Sequence, residues 1–329
     1  MATMVAVMMR NSAFAALLIG AVLAVAPAVH AADTVSVGSV DASSANLWPL
    51  HIAIKNGYFD AANIKIDLVF AQSNASVIQQ LAAGSYNIAP SAGMVDPIRA
   101  IDKGAPVALI RIVIQAPPYA LLARSEIKTM ADLRGKTIIV GGAKDITRIF
   151  TERMLAPSGL KSGDFDLVFA GATSARFGAL KSGAVDAALL TMPFNFFAET
   201  AGYTNLGFTF DTLPDMPFAS MAVNRPWAEA NADVLKRFLD AYNRGVTWFY
   251  DPKNHEAAVK MQTETSKIKQ DEVEKAYAFL RDKNLFEPTG KISKKKVATV
   301  TDALRDLGDL PADFKLDRLL LPGVTQVTD

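Results

Sequence analysis

The chain has 329 residues, half of them hydrophobic and 20% charged, which is enough to bury a core and, at usual domain sizes, to build about two domains. Its 34 basic and 33 acidic side chains leave a formal charge of +1, so no overall field draws it to nucleic acid or to an acidic membrane. It has no cysteine, which excludes disulfides, thiolate nucleophiles, iron–sulfur clusters, thiolate zinc sites and the acceptor for a lipid anchor.

Arg10 is the only charge before Asp33, and an apolar run over residues 13–26 ends at Pro27. Small residues follow around Ala31. This is the three-part layout of a secretory signal peptide over residues 1–31, and the apolar run is too short to span a bilayer. No later segment reaches 18 uninterrupted apolar residues, so the mature protein is expected to be soluble and outside the cytoplasm.

The pattern then predicts a strand at 34–39, a helix at 50–56 closed by Gly57, and a buried strand at 64–71. Ser73 or Asn74 can cap the next helix, whose inner stripe is Val77, Ile78 and Leu81. Gly84 sits where a helix ends in a left-handed residue, before a strand at 86–89. A second series follows: a strand at 137–141, a helix at 147–155, a strand at 165–170, a helix at 175–181, Gly183 and a strand at 185–190. Helices at 232–250, 254–265, 270–283 and 293–307 are expected to pack back on the first series. Lys291, Lys294, Lys295 and Lys296 alternate with Ile292, Val297 and Val300, which reads as a solvated helix face.

Asp67-Leu68-Val69-Phe70-Ala71 recurs as Asp166-Leu167-Val168-Phe169-Ala170, an offset of 99 positions. The same offset relates Leu81 to Leu180, Gly84 to Gly183, Asn87 to Asp186 and Ala89 to Ala188. One register held over two elements means two related α/β units. Parallel strands joined by helices present their carboxyl ends, and the helix starts beside them, as a ligand surface. Two such units face each other across a cleft, with crossings expected at 112–122 and 218–223. The first lobe is read as residues 32–117 with 219–329, and the second as 118–218.

Four stretches resemble the nitrate/sulfonate/taurine family of ABC-importer binding proteins, which includes relatives of the thiamine-pyrimidine synthases. They are Pro49-Leu50-His51-Ile52-Ala53 through Gly57-Tyr58-Phe59, Gln80-Leu81-Ala82-Ala83-Gly84 through Asn87-Ile88-Ala89, Ala100-Ile101-Asp102-Lys103-Gly104-Ala105-Pro106-Val107, and Met130-Ala131-Asp132-Leu133-Arg134-Gly135-Lys136-Thr137-Ile138. The resemblance runs from about Asp33 to Asp251. It implies an α/β type II periplasmic-binding-protein fold, two Rossmann-like lobes joined by two hinge strands, and delivery of a ligand to a permease in the inner membrane.

Ligand residues are expected on the loops after the strands. In the first lobe these are Ser43, Ser44, Asn46, Trp48, Gln72, Ser91, Gly93 and Met94. In the second they are Lys144, Thr147, Arg148, Thr191, Met192, Phe194 and Asn195, with Tyr119 at the crossing. Hydroxyls and amides orient a polar ligand while aromatics cover its face. The bland alternatives are that Ser43 and Ser44 cap a helix, that Trp48 packs on it, and that Arg148 pairs with Glu152 at i,i+4. Otherwise Arg148 and Lys144, at a helix start, hold a carboxylate or sulfonate.

Sulfonate and taurine binders of the family tend to have a serine/threonine-rich loop followed by histidine where this chain has Ala143-Lys144-Asp145-Ile146. The ligand expected is therefore a small aromatic or heteroaromatic compound or an organic anion, bound by a monomer with no cofactor and no metal. The thiamine-pyrimidine synthases use a cysteine-rich stretch that this chain lacks, and the histidines are only His30, His51 and His255. An enzyme of that group and a non-transport ligand sensor are the alternatives to an importer's receptor.

Overall fold

A computed structural model describes residues 31–329 apart from Asp41, Ser43 and Gln72. The expected signal segment, and the candidate ligand residues Ser43 and Gln72, lie outside the described residues. The first lobe opens with β1 (Asp33–Ser39), α1 (Trp48–Lys55), α2 (Tyr58–Ala61), β2 (Ile64–Phe70), α3 (Asn74–Ala82), β3 (Ile88–Gly93), α4 (Val95–Asp102) and β4 (Val107–Ile114). The second holds β5 (Tyr119–Ala123), β6 (Thr137–Val140), α5 (Ile146–Leu155), β7 (Asp166–Phe169), α6 (Thr173–Ser182), β8 (Ala187–Thr191), α7 (Phe194–Thr200), β9 (Thr204–Phe208) and α8 (Thr209–Thr212). The chain returns through β10 (Ala219–Asn224), α9 (Arg225–Ala230), α10 (Ala232–Tyr250), α11 (His255–Ser266), α12 (Gln270–Asp282), β11 (Ile292–Ser293), α13 (Lys294–Asp306) and β12 (Val327–Thr328).

The two five-stranded sheets have orders β2-β1-β3-β10-β4 and β7-β6-β8-β5-β9. In each, the strand entered on crossing from the other lobe lies fourth and runs antiparallel to its neighbours. The inner strands of each sheet are buried on both faces, which is why they read as apolar runs, whereas the edge strands β2 and β7 leave Val69, Phe70, Val168 and Phe169 exposed, so the strand expected to be buried at 64–71 is only partly so. In the first, Val37, Ile110 and Met221 pack against α1 and α10, while Ala89, Leu109 and Ala222 pack toward α3, α4 and α13. In the second, Leu121, Ile138 and Leu189 face α5, and Leu122, Ile139 and Leu190 face α6 and α7. The C-terminal helices do pack on the first lobe, α10 against α1 and α2 and α13 against α4. The lysines at the start of α13 are not buried, whereas Val297 and Val300 are; Lys294 pairs with Asp317 at 2.9 Å.

The internal repeat has a hydrogen-bonding cause. Asn87 accepts from the Ser36 amide at 2.8 Å, and Asp186 accepts from the Thr137 amide at 2.9 Å. The main chains answer in kind, Asn87 N to Ser36 O and Asp186 N to Thr137 O, both at 2.9 Å. Gly84 and Gly183, at φ +79° and +77°, turn each chain out of its helix in the left-handed region that favours glycine.

Several boundaries differ from the sequence reading. Trp48 and Pro49 belong to α1, because proline is preorganised for a first helical turn. The third strand runs to Gly93 rather than ending at 89, because Ala92 and Gly93 still pair with Ser220 and Ala219 of β10 beyond Pro90. The outward crossing is interrupted: β4 stops at Ile114 and β5 begins at Tyr119, and Pro117 and Pro118 supply no ladder donors between them. The return crossing precedes the expected one; it occupies the span between Thr212 and Ala219, and β10 lies wholly in the first sheet.

Candidate functional site

The carboxyl ends of both sheets deliver helix starts to one cavity. In the first lobe β3 ends at Gly93 and α4 begins at Val95. Asn74 ties this corner together, accepting from Gly93 N at 3.3 Å and donating to Asp96 Oδ2 at 2.7 Å. In the second lobe β6 ends at Val140 and α5 is capped by Asp145, which accepts from Thr147 N at 2.9 Å. Thr147 Oγ1 in turn accepts from Gly141 N at 2.8 Å and donates to Asp145. A Cβ on Gly141 would stand 2.7 Å from Asp145 Oδ1, so only glycine permits this cap.

The two carboxylates therefore occupy helix starts from opposite lobes, the positions where an anion would otherwise be favoured. Burial pushes the Asp96 carboxyl above its usual range; the Asn74 bond opposes that shift and the Asp145 charge adds to it. Its ionisation at neutral pH works against the fold. The sign follows: the folded state binds the proton more tightly, so this stability is present at acid pH and lost as pH rises through the raised value.

The cavity measures about 950 Å³ and is walled by both lobes. Asp96, Asp145, Arg99 and Lys144 stand on its wall with the aromatic side chains of Tyr119, Phe194, Phe197 and Phe218. Tyr119 meets Phe218 edge-on at 5.4 Å, and burial pushes its hydroxyl up to about 12. Phe194 meets Phe197 at 5.7 Å and 90°. Ser91 Oγ, also on the wall, is buried with no hydrogen-bond partner among the described residues.

Of the expected ligand residues, Ser44, Asn46, Trp48, Ser91, Gly93, Tyr119, Lys144, Thr191, Met192 and Phe194 stand on this wall. Met94, Thr147, Arg148 and Asn195 do not. Met94 is fully buried in the core, with its amide bonded to Phe218 O. Thr147 is buried and spends its hydroxyl on the α5 cap, and Asn195 is buried beneath the wall. Arg148 is committed to Glu152 at 2.9 Å and to Ala143 O at 3.0 Å, so the i,i+4 pair accounts for it. Trp48 touches the cavity but is anchored in the core, as its 0% exposure and its bond from Nε1 to Ala258 O at 3.2 Å show.

Lys144 is not a free cation either. Its Nζ lies 3.9 Å from Asp309, which also accepts from Arg99, and Arg99 donates to the Lys144 carbonyl. Arg153 reaches Asp306 at 3.2 Å. These contacts join α5 and its preceding loop to α4 and the end of α13 across the cleft, while Phe279 of α12 meets Phe208 at 5.5 Å and Phe210 at 5.4 Å. Asp309→Asn removes the negative charge that Arg99 and Lys144 share. Because exposed pairs are screened, the expected shift is about fivefold toward the open lobes, on the order of 1 kcal/mol. Small-angle scattering of the ligand-free variant should give a larger radius of gyration; an unchanged value would assign the lobe contact to the phenylalanines alone.

Wall residues outside the sequence reading include Asp96, Asp145 and Glu272, and Arg176 supports the wall from behind. Asp96 lies in the first turn of α4, Asp145 caps α5, and Glu272 belongs to a helix expected to pack back on the first lobe. Arg176, 1% exposed on α6, holds the Ala170–Thr173 loop through Ala170 O at 2.9 Å, Gly171 O at 2.8 Å and Thr173 Oγ1 at 2.7 Å. The offset of 99 places it opposite Val77, so an arginine standing in an apolar stripe was a signal in the repeat itself.

Residues 44–255 match the family model described as NMT1/THI5 like. The chain is 26% identical over 210 residues to the formylaminopyrimidine-binding protein of Halalkalibacterium halodurans, a match covering 61% of this chain and 62% of that protein's length. Among solved structures, the periplasmic aliphatic sulphonate binding protein SsuA from Escherichia coli superposes with a TM-score of 0.71 at 19% identity, covering 89% of this chain and 98% of that one. The desulfurization enzyme DSZB superposes at 0.69 with 15% identity, covering 89% and 97%. The two-lobed topology is thus the type II periplasmic-binding-protein fold, which binding proteins share with an enzyme. Because the family model spans well over half of the sequence, from the first cleft loop to the start of α11, the chain belongs to the NMT1/THI5-like family.

Proposed function

We propose that the protein is the periplasmic solute-binding component of an ABC importer, and that its ligand is a small nitrogen heteroaromatic carrying N–H donors, of the aminopyrimidine class. The observation that carries this reading is the pair of carboxylates at the cleft. Asp96 and Asp145 already fill the anion-favouring helix starts, Arg99 and Arg148 are engaged with protein acceptors, and Lys144 has Asp309 at 3.9 Å. A sulfonate or nitrate would meet two like charges. A flat donor-bearing ring meets acceptors for its edge and aromatic side chains for its face. The formylaminopyrimidine-binding relative supports the same class.

The fold admits an enzyme, so the binding reading rests on chemistry. The chain has no cysteine. His51 is buried against Gln262, and burial lowers its pKa; His255 is taken by Glu274. Capture then needs only that ligand contacts from both lobes favour the closed arrangement. In this reading residues 1–31 are a removed signal, the lobes divide at 117/118 and 218/219, the mature chain is a monomer, and the closed form docks on an inner-membrane permease. Among the described residues no helix is long and apolar enough to cross a membrane.

Calorimetric titration of refolded, ligand-free protein with formylaminopyrimidine, 4-aminopyrimidine, taurine and nitrate tests the ligand class. Binding of the pyrimidines alone is expected. Asp96→Asn keeps the Asn74 corner but removes a charged acceptor, and should weaken pyrimidine binding about tenfold to a hundredfold, the value of a hydrogen bond to a charged group. Binding of taurine or nitrate with no response to the pyrimidines would overturn the reading.

A further inference from the structure

The cavity is completed by a part of the chain beyond the family match. Gln262 and Ser266 of α11, Ile268, and Glu272, Val273 and Ala276 of α12 form one wall, whereas the match ends at residue 255. Glu272 is the charged member of this wall. It is only 9% exposed. Its Oε1 accepts from Lys275 at 3.1 Å; its Oε2 is buried and has no hydrogen-bond partner among the described residues.

A structural role does not explain this arrangement. An acid in the first turn of α12 complements the helix dipole, but Asp271 beside it is exposed and serves that purpose without desolvation. The Lys275 pair needs one oxygen and gains nothing from burying the other. A carboxylate oxygen taken out of water without a donor opposes folding, and such groups persist where a bound partner supplies the donor. Neither neighbouring polar side chain of the wall donates to it: Gln262 meets His51 at 3.4 Å, and Ser266 Oγ accepts from Ile268 N at 3.2 Å.

We propose that Glu272 is a specificity-determining residue whose Oε2 receives an N–H donor of the ligand, an amino, amide or ammonium group. This rests on the solute-binding reading above and adds to it a second acidic contact from the C-terminal helices. Ligand choice within the family is then set partly by α11 and α12, outside the region the family has in common.

The test is Glu272→Gln, with two readouts on protein refolded from denaturant. The first is the melting temperature without ligand, which removal of a desolvated charge should leave unchanged or raise by about 2 °C. The second is calorimetric titration with formylaminopyrimidine, where affinity should fall at least about tenfold. A fall in melting temperature would mean that Glu272 serves the fold, and would overturn the proposal. So would wild-type affinity in the variant. Failure of the wild-type protein to bind any pyrimidine would instead defeat the ligand class, leaving Glu272 to be decided by the melting comparison.

Discussion

Trp48→Ala should lower folding stability by about 3–5 kcal/mol, the usual result of emptying a buried tryptophan site. The indole has no exposed surface and meets Phe249 at 5.4 Å and Tyr277 at 5.6 Å, both edge-on. Its Nε1 is the donor to Ala258 O, so truncation leaves a carbonyl unpaired as well as a void. Three contacts on α10, α11 and α12 pass through this one side chain, and they fix the α1 corner that carries Ser44 and Asn46 to the cavity. Thermal unfolding should show a midpoint lower by about 10 °C. Trp48→Phe separates packing from recognition. It keeps most of the apolar volume and should retain ligand affinity within about threefold while losing about 1–2 kcal/mol of stability. A Trp48→Phe protein that melts normally yet no longer binds would make Trp48 a ligand contact after all.

The contrast between Trp48 and the repeat shows what a sequence can convey here. Strand periodicity and an offset of 99 gave the two lobes, because the inner strands of each sheet are buried on both faces and each repeated polar residue has one local job: Asn87 and Asp186 receive the amides of Ser36 and Thr137. Such jobs leave a pattern at fixed spacing. The cavity does not. Trp48 and Arg148 carry residue types suited to a ligand, but each also has a protein partner, Ala258 and Glu152, and the first of these is 210 positions away. Lys144 has its nearest opposite charge, Asp309, near the far end of the chain, where sequence spacing does not point. Glu272 was legible only as one acid among many on an amphipathic helix, since its burial depends on how that helix closes over the cleft.

Arg176→Met is expected to destabilise the second lobe by about 3–5 kcal/mol, the range for stripping the partner from a buried, hydrogen-bonded charge site. The guanidinium donates from Nε to Leu189 O at 2.8 Å and from Nη1 and Nη2 to three acceptors of the loop that opens α6. Methionine matches the volume but leaves the carbonyls of Leu189, Ala170 and Gly171 without donors, so packing alone does not restore the site. Lysine offers a point charge in place of a fork and cannot span strand β8 and the loop at once; Arg176→Lys should therefore recover less than half of the loss. Urea unfolding of ligand-free protein gives both values. The functional effect follows from the same bonds, because Gly171, Ala172 and Thr173 are cavity wall. In Arg176→Lys, binding should weaken through a mobile loop, with faster ligand release and little change in association rate. Equal stability in all three proteins would mean that the loop holds itself.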